Sequence, residues 1–458
     1  MCCNVNQYYR SCCDFYLERR NKCVGRNKQL FAKYVLTTMV SSVLSSIYVS
    51  VDGIFIGQAV GDNGLTAVNI IWPIEAIATS LARGIGIGGA ICMSTLFGKD
   101  DKENAYQFRA NAICMLLSVY LFMAVVIRNL YPFLLVFFGA TKGTEIYRMS
   151  EDYTRLYVTG CLFQILGVGF QPFLRNANKP IQAMLYQITG CITNIILDYI
   201  FVIKWNWEVK GAGLATIIGQ SFVCILVLTT FFRDKADPLR WDQFRLKGKK
   251  MLDIISYSIT PTGLNMSNSV IIIFYNRVCL LYGGVTAAAA YSVVNYSYAA
   301  GTLFVNGIGE GIQPLISFNY GKKDETAVKE YMKLAKKVIL VIGVGITVIF
   351  LATRNYVGVL FGASEDANTI VAQAIILSAF MFPLKGFVRL YMSSFNAIGR
   401  NLNSNLLVYS EALVFTPLAL MILPKFFGMD GIWISFTAVQ IILMIIAAAF
   451  GKKFKDLL

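Results

Sequence analysis

Among its 458 residues the chain contains no histidine. That excludes histidine-based catalysis, a histidine proton relay and a common nitrogen ligand for zinc. Charge is also scarce. Asp, Glu, Lys and Arg together make up 15%, where a soluble chain carries roughly 25%. The opening stretch, 1–30, is polar and basic, without an apolar core followed by small residues, so it does not read as a cleaved signal peptide. No paired metal motif and no nucleophile constellation occurs, and the reading is that of a protein other than an enzyme with no cofactor.

Apolar residues, by contrast, form 56% of the chain. They come in blocks long enough to matter, since a helix of about 20 to 28 residues crosses a hydrocarbon core of roughly 30 Å at about 1.5 Å per residue. Twelve blocks can be drawn, at about 31–59, 66–94, 110–138, 153–174, 180–203, 211–232, 252–282, 286–315, 338–360, 370–395, 401–423 and 431–450. The expected fold is an all-α polytopic membrane protein with twelve transmembrane helices.

The chain repeats itself. "GIGIGGA" at Gly84 matches "GIGEGIQ" at Gly307, and "FGKDDKENAYQF" at Phe97 matches "YGKKDETAVKEY" at Tyr320. "FFGA" at Phe137 matches "LFGA" at Leu360. All three pairs share one spacing, that from Gly84 to Gly307, and it is called the repeat spacing below. "GAGLATIIGQ" at Gly211 matches "GIWISFTAVQ" at Gly431, at a slightly shorter spacing. The expected organisation is a cytoplasmic Cys-rich arm (1–30), a six-helix bundle (31–232), a polar basic linker (233–251), a second bundle (252–450) and a tail (451–458). An even number of spans per copy makes the bundles parallel, and sites then tend to lie between the copies. The glycines within spans permit close helix packing or local bending.

Net charge is +15. With the N-terminus inside and twelve alternating spans, the inner segments hold 29 of the 41 Lys and Arg. That bias predicts a multi-pass plasma-membrane protein with both termini cytoplasmic. A nucleic-acid partner is not expected, because these charges flank spans. Five of eleven cysteines (Cys2, Cys3, Cys12, Cys13, Cys23) lie in the arm and should be reduced thiols there. Their spacing is not a familiar zinc pattern.

Asp52 stands inside "SSIYVSVDGIFIG", where hydrocarbon is expected. A charged aspartate at a span centre costs roughly 2.5–3.5 kcal/mol. It should be paired, protonated, cation-bound or open to water. Span five carries Asn194 and Asp198 at i and i+4, on one helix face, and span six carries Thr216. Counted from the span ends, Asp52, Asp198 and Thr216 lie roughly 7–10 Å below the outer surface, with Asn194 a turn deeper. Two carboxylates, an amide and a hydroxyl at one level can form an oxygen-lined cation or proton site. Near-equivalent positions in the second copy are Tyr275, Val414 and Leu418, so the acids belong to one half. The alternative is that Asp52 and Asp198 cap helix breaks or pair with a base such as Arg83. Glu75, Arg83, Arg277, Glu310, Lys385, Arg389 and Glu411 also lie in or near spans and should pair or snorkel. Of these, Glu310 and Lys385 are candidates to line an inter-bundle substrate cavity, with Asn265, Met266 and Asn268 of span seven.

These motifs resemble the multidrug and toxic compound extrusion (MATE) family over about residues 31–450. The carriers are "VDGIFIGQAVGDNGLTAVNI", "GKDDKENA" and its copy "GKKDETAV", "NIILD" and "GAGLATIIGQ". The resemblance implies an antiporter that exports amphipathic, mainly cationic small organic compounds against Na⁺ or H⁺, working as a monomer. It also implies that Asp52, Asn194, Asp198 and Thr216 line the coupling-ion site. Two carboxylates held together out of water can share a proton. The alternative is a lipid-linked oligosaccharide flippase of the same superfamily. It would need a basic central cavity for pyrophosphate, toward which Lys385 and Arg389 point.

Overall fold

The computed structural model describes residues 5–234, 238–362 and 364–452, with side chains from Gly25 onward except those of Val49 and Asp62. The arm cysteines Cys2, Cys3, Cys12, Cys13 and Cys23 lie outside the residues whose side chains are described.

The described residues are almost entirely helical. The first half comprises α1 (Val5–Val60), α2 (Asp62–Gly98), α3 (Lys102–Phe137), α4 (Glu145–Asn176), α5 (Pro180–Asp198) and α6 (Glu208–Arg233). A continuous run, Gly248–Gly321, follows. Its 74 residues would measure on the order of 110 Å if straight, far more than a bilayer. It instead breaks at Gly284, where φ is 63°, a backbone setting that glycine adopts without strain. Tyr275 and Tyr291, on either side of the break, stack with ring centroids 5.6 Å apart, so the chain doubles back. The arms 248–283 and 285–321 are called α7 and α8. The remaining helices are α9 (Glu325–Leu360), α10 (Glu365–Ser378), α11 (Met381–Ala397), α12 (Asn401–Phe427, with a π turn at Glu411–Phe415) and α13 (Met429–Lys452).

Helices α10 and α11 meet at a 52° bend and together make one span. The Thr347 and Thr437 hydroxyls donate to the freed carbonyls of Ala379 and Leu377 there, at 2.9 and 3.1 Å. Ten helices among the described residues are long and apolar enough to cross a membrane, or eleven with that pair taken as one span, and the break at Gly284 divides the longest of them.

The duplicated motifs build duplicated structure. In "GKDDKENA" and "GKKDETAV" the positive-φ residues are Asp100 and Lys323, at 61° and 60°. One residue on, Asp101 and Asp324 accept hydrogen bonds from the backbone amides of Asn104 and Ala327 and so cap α3 and α9. The glycine runs hold the halves together reciprocally. A Cβ at Gly84 or Gly88 of α2 would strike α7 at Thr262 or Ser258. A Cβ at Gly307 or Gly311 of α8 would strike α1 at Met39 or Val35. At the helix ends a Cβ on Gly98 would fall on the Phe318 carbonyl, and one on Gly321 on the Thr95 carbonyl. Gly98 and Gly321, like Thr95 and Phe318, stand at the repeat spacing.

Polar contacts follow the same symmetry. Asn27 donates to Glu330 at 2.7 Å, and Lys250, the counterpart of Asn27 at the repeat spacing, donates to Gln107 at 2.5 Å. The hydrogen bonds joining the halves run from these turns as far as Ser80–Thr262 and Arg83–Glu310, and stop there among the described residues. Hydrophobic packing follows a different partition. One cluster of buried residues draws only on 56–254, but Phe31, Tyr34, Val35 and Met39 of α1 pack with buried residues of α8, α9 and α11 to α13. The turn end of α1 thus belongs to the second half's core, although its sequence copy is the first.

Valine at Gly98 or Gly321 should lower the melting temperature of the purified protein, an overpacking loss of about 1–3 kcal/mol. Alanine at Gly345, where a Cβ meets nothing within 4 Å, should not. Equal melting temperatures for the three variants in differential scanning fluorimetry would remove the steric seal.

Candidate functional site

Two sites can be built from the helices upward. The first lies wholly in the first half. A Cβ on Gly190 of α5 would press on Val223 of α6, and one on Gly219 of α6 would press on the Gly190 carbonyl and Asn194. With no side chain between them, α5 and α6 approach closely. That brings Asn194, a turn beyond Gly190, against Thr216, a turn before Gly219. The Asn194 amide donates to Thr216 Oγ1 at 3.4 Å, and the Thr216 hydroxyl donates to Asp52 Oδ2 at 3.5 Å. The Asp198 carboxyl lies against Asp52 and Asn194. Three helices thus bring together the four residues named from the sequence.

Asp198 is 0% exposed and Asn194 3%. Asp52 Oδ1, Asn194 Oδ1 and both Asp198 carboxyl oxygens accept no hydrogen bond among the described residues. Neither local alternative is seen. Asp198 stands at the start of a π turn, Tyr199–Lys204, but its side chain caps nothing. Arg83 pairs with Glu310 instead of Asp52. Four buried acceptor oxygens without donors, two carboxyls among them, form a donor set that a proton or a small hard cation suits.

The pocket extends further than the sequence indicated. Glu75 of α2 accepts a 2.6 Å hydrogen bond from Tyr153 of α4. Tyr48 is close to both Asp52 and Glu75, and the buried Tyr157 hydroxyl has no partner among the described residues. Glu75 was expected only to pair or snorkel, and none of the three tyrosines was singled out. The residue at the repeat spacing from Glu75 is Tyr298, and that acid-to-aromatic change was the available clue.

The second half fills the equivalent space. Asp52, Glu75 and Thr216 correspond to Tyr275, Tyr298 and Phe436. Tyr275 stacks on Phe436 at 4.1 Å between centroids, and Tyr298 packs edge-on against Phe382 and Phe436. The phenol tips find partners in Ser435 and Ser378, at 2.8 and 2.7 Å. Among the described residues, stacked rings and their hydrogen-bonded hydroxyls stand at these positions.

The second site is a cavity of ≈ 80 Å³ between the halves. Asn265, Asn268 and Glu310 line it, but Met266 and Lys385 are not among its lining residues. Met266 is 46% exposed. Lys385 lies instead near Glu411 and Arg389. Glu310 Oε1 accepts from Arg83 at 3.1 Å and Oε2 from Arg175 at 3.0 Å. Arg175 stands just past the fourth apolar block (about 153–174), in the last turn of α4, and lines the cavity. Arg389 completes the lining charges.

The two ion pairs differ in burial: the Arg175 side chain is 12% exposed and Arg83 40%. Arg175→Met should therefore lose more stability, roughly 3 kcal/mol where Glu310 is left underpaired. Arg83→Met should lose no more than about 1 kcal/mol. Chemical denaturation of the two variants in the same detergent distinguishes them, and equal losses would contradict the assignment.

Comparison with known proteins adds the following. The family model described as MatE matches residues 38–200 and again 261–421, two stretches whose starts stand at the repeat spacing. The chain is similar to the multidrug export protein MepA of Staphylococcus haemolyticus (strain JCSC1435), 26% identical over 404 residues and 87% of each chain. A multidrug resistance MATE family transporter of the MOP superfamily, solved in an outward-facing conformation, superposes with a TM-score of 0.88. The match is at 20% identity and covers 93% of this chain and 95% of that one. A MOP superfamily transporter from Pyrococcus furiosus Vc1 (DSM3638), whose reversed pocket polarity suggests a different function, gives 0.87 at 20% identity and the same coverage.

Proposed function

The chain belongs to the MatE family, and from that premise we propose that it exports small amphipathic organic compounds by alternating access, driven by inward movement of Na⁺ or H⁺. The observation that carries this reading is the cluster Asp52, Asn194, Asp198 and Thr216, with its donorless buried oxygens. A cation or proton arriving there relieves the repulsion between two adjacent carboxyls. It thereby favours the packing of α1, α5 and α6 in which they meet. Removing it favours a packing that separates them. This differential stabilisation is what an ion must supply to shift a two-state equilibrium.

The sealed turn end supports a state closed on the side of the basic loops. By the positive-inside rule that side is the cytoplasm, with both termini there, in the plasma membrane. Alternating access would open the Gly98–Gly321 contact and close the opposite ends. The chain would act as a monomer, since each half supplies the other's packing partner. A cationic compound would meet carboxylates in the first-half pocket, at Asp52, Asp198 and Glu75, and would compete there with the coupling ion.

A second reading, flipping of a lipid-linked oligosaccharide, is favoured by one observation: three arginines and one glutamate line the central cavity.

Asp52→Asn and Asp198→Asn should each abolish gradient-driven dye export from vesicles while the protein remains inserted at wild-type level. Running the wild type under a Na⁺ gradient alone and a pH gradient alone identifies the ion. Full transport by both variants would eliminate the coupling role of this cluster.

A further inference from the structure

The charged groups lining the central cavity are Arg83, Arg175, Arg389 and Glu310. Glu310 is committed to Arg83 and Arg175, one carboxylate oxygen to each. Arg389 is left over. It is 6% exposed, its Nε has no hydrogen-bond partner among the described residues, and its Nη1 only approaches Met392 Sδ at 3.9 Å. Lys385 and Glu411 stand nearby with opposite charges, so they do not cancel the excess. A largely buried guanidinium whose Nε has no acceptor favours an oxyanion, which it can hold through two parallel N–H bonds. Ile87, Pro172, Pro261 and Leu264 supply an apolar wall beside it.

We propose that this cavity binds the anionic head group, carboxylate or phosphate, of an amphipathic compound, with Arg389 as its principal contact and Arg83 and Arg175 in support. The inference rests on the reading of the chain as an exporter, and it places an anionic compound between the halves, apart from the first-half pocket where a cationic one would compete with the coupling ion. It adds the charge class of that substrate, opposite in sign to the cation loaded in the first half. A cationic head would face the net positive lining instead.

Binding is measured without transport, by titration calorimetry on the full chain in phosphatidylcholine nanodiscs. The probes are 1-naphthyl phosphate, 1-naphthoate and 1-naphthylmethylammonium, which share one apolar body. The two anions should bind saturably and at least about tenfold tighter than the cation. Arg389→Gln should weaken the anions by about tenfold or more, and Arg389→Lys should recover part of the loss. Gly345→Ala, where a Cβ meets nothing within 4 Å, should leave anion binding unchanged, and binding at equilibrium needs no ion gradient, which separates this proposal from the coupling role. A polyprenyl phosphate in the nanodisc that displaces 1-naphthyl phosphate assigns the head group to a lipid; failure to displace it assigns a soluble compound. Should Arg389→Gln not fold, Arg83→Gln serves in its place with a smaller expected loss. Equal or tighter binding of the ammonium probe, or anion affinities unmoved by the arginine variants, would overturn the proposal.

Discussion

Two helix backbones touch at the turn end of this molecule, α2 on α8, with no side chain between them at Gly98 and Gly321. Most of the inter-half arrangement depends on that contact and on the glycine rows leading to it. Because each half's second helix packs on the other half's first, the halves are related by a pseudo-two-fold axis. Corresponding positions then face one another across the central cavity. Arg83 is opposite Asn306, and Ile87 opposite Glu310, each pair at the repeat spacing. A symmetric frame thereby presents asymmetric chemistry, and the charges that line the cavity are unlike pairs at like sites.

The same division runs through the cores. In the first half three helices surround a polar hollow whose oxygens lack donors. In the second, Tyr275, Tyr298 and Phe436 occupy the matching volume and satisfy their own hydroxyls. Duplication preserved the packing surfaces between halves, which both copies need. It left the interior of each bundle free to diverge, since a hollow and a ring stack can support the same outer helix arrangement.

What could be read in the sequence follows the same physics. The repeat and the helical, apolar character of the chain are legible because glycine patterning and apolar length each have a local structural meaning. The Asp52, Asn194, Asp198 and Thr216 cluster was legible because i, i+4 spacing fixes a helix face and residue counting fixes depth. Rotation of a helix about its own axis and the path of a side chain at a span end are not local properties. Hence Met266 and Lys385 were placed in the central cavity but are not among its lining residues, whereas Arg175, just past the fourth apolar block, is. Nor did sequence order reveal that residues 31–39 pack with the second half's core, because tertiary contact, not chain position, decides to which core a helix end belongs.

The π turn beginning at Tyr199 lies directly beyond Asp198. A π turn accommodates one residue more than regular winding. If that surplus moved one helical turn toward the Asn194 end of α5, the segment it passed would rotate by about 100°, with little net change in hydrogen bonding. The buried carboxyl would then point along a different radius of the bundle. A local screw motion within α5 would thus redirect that carboxyl without disturbing the glycine-lined contact between the halves.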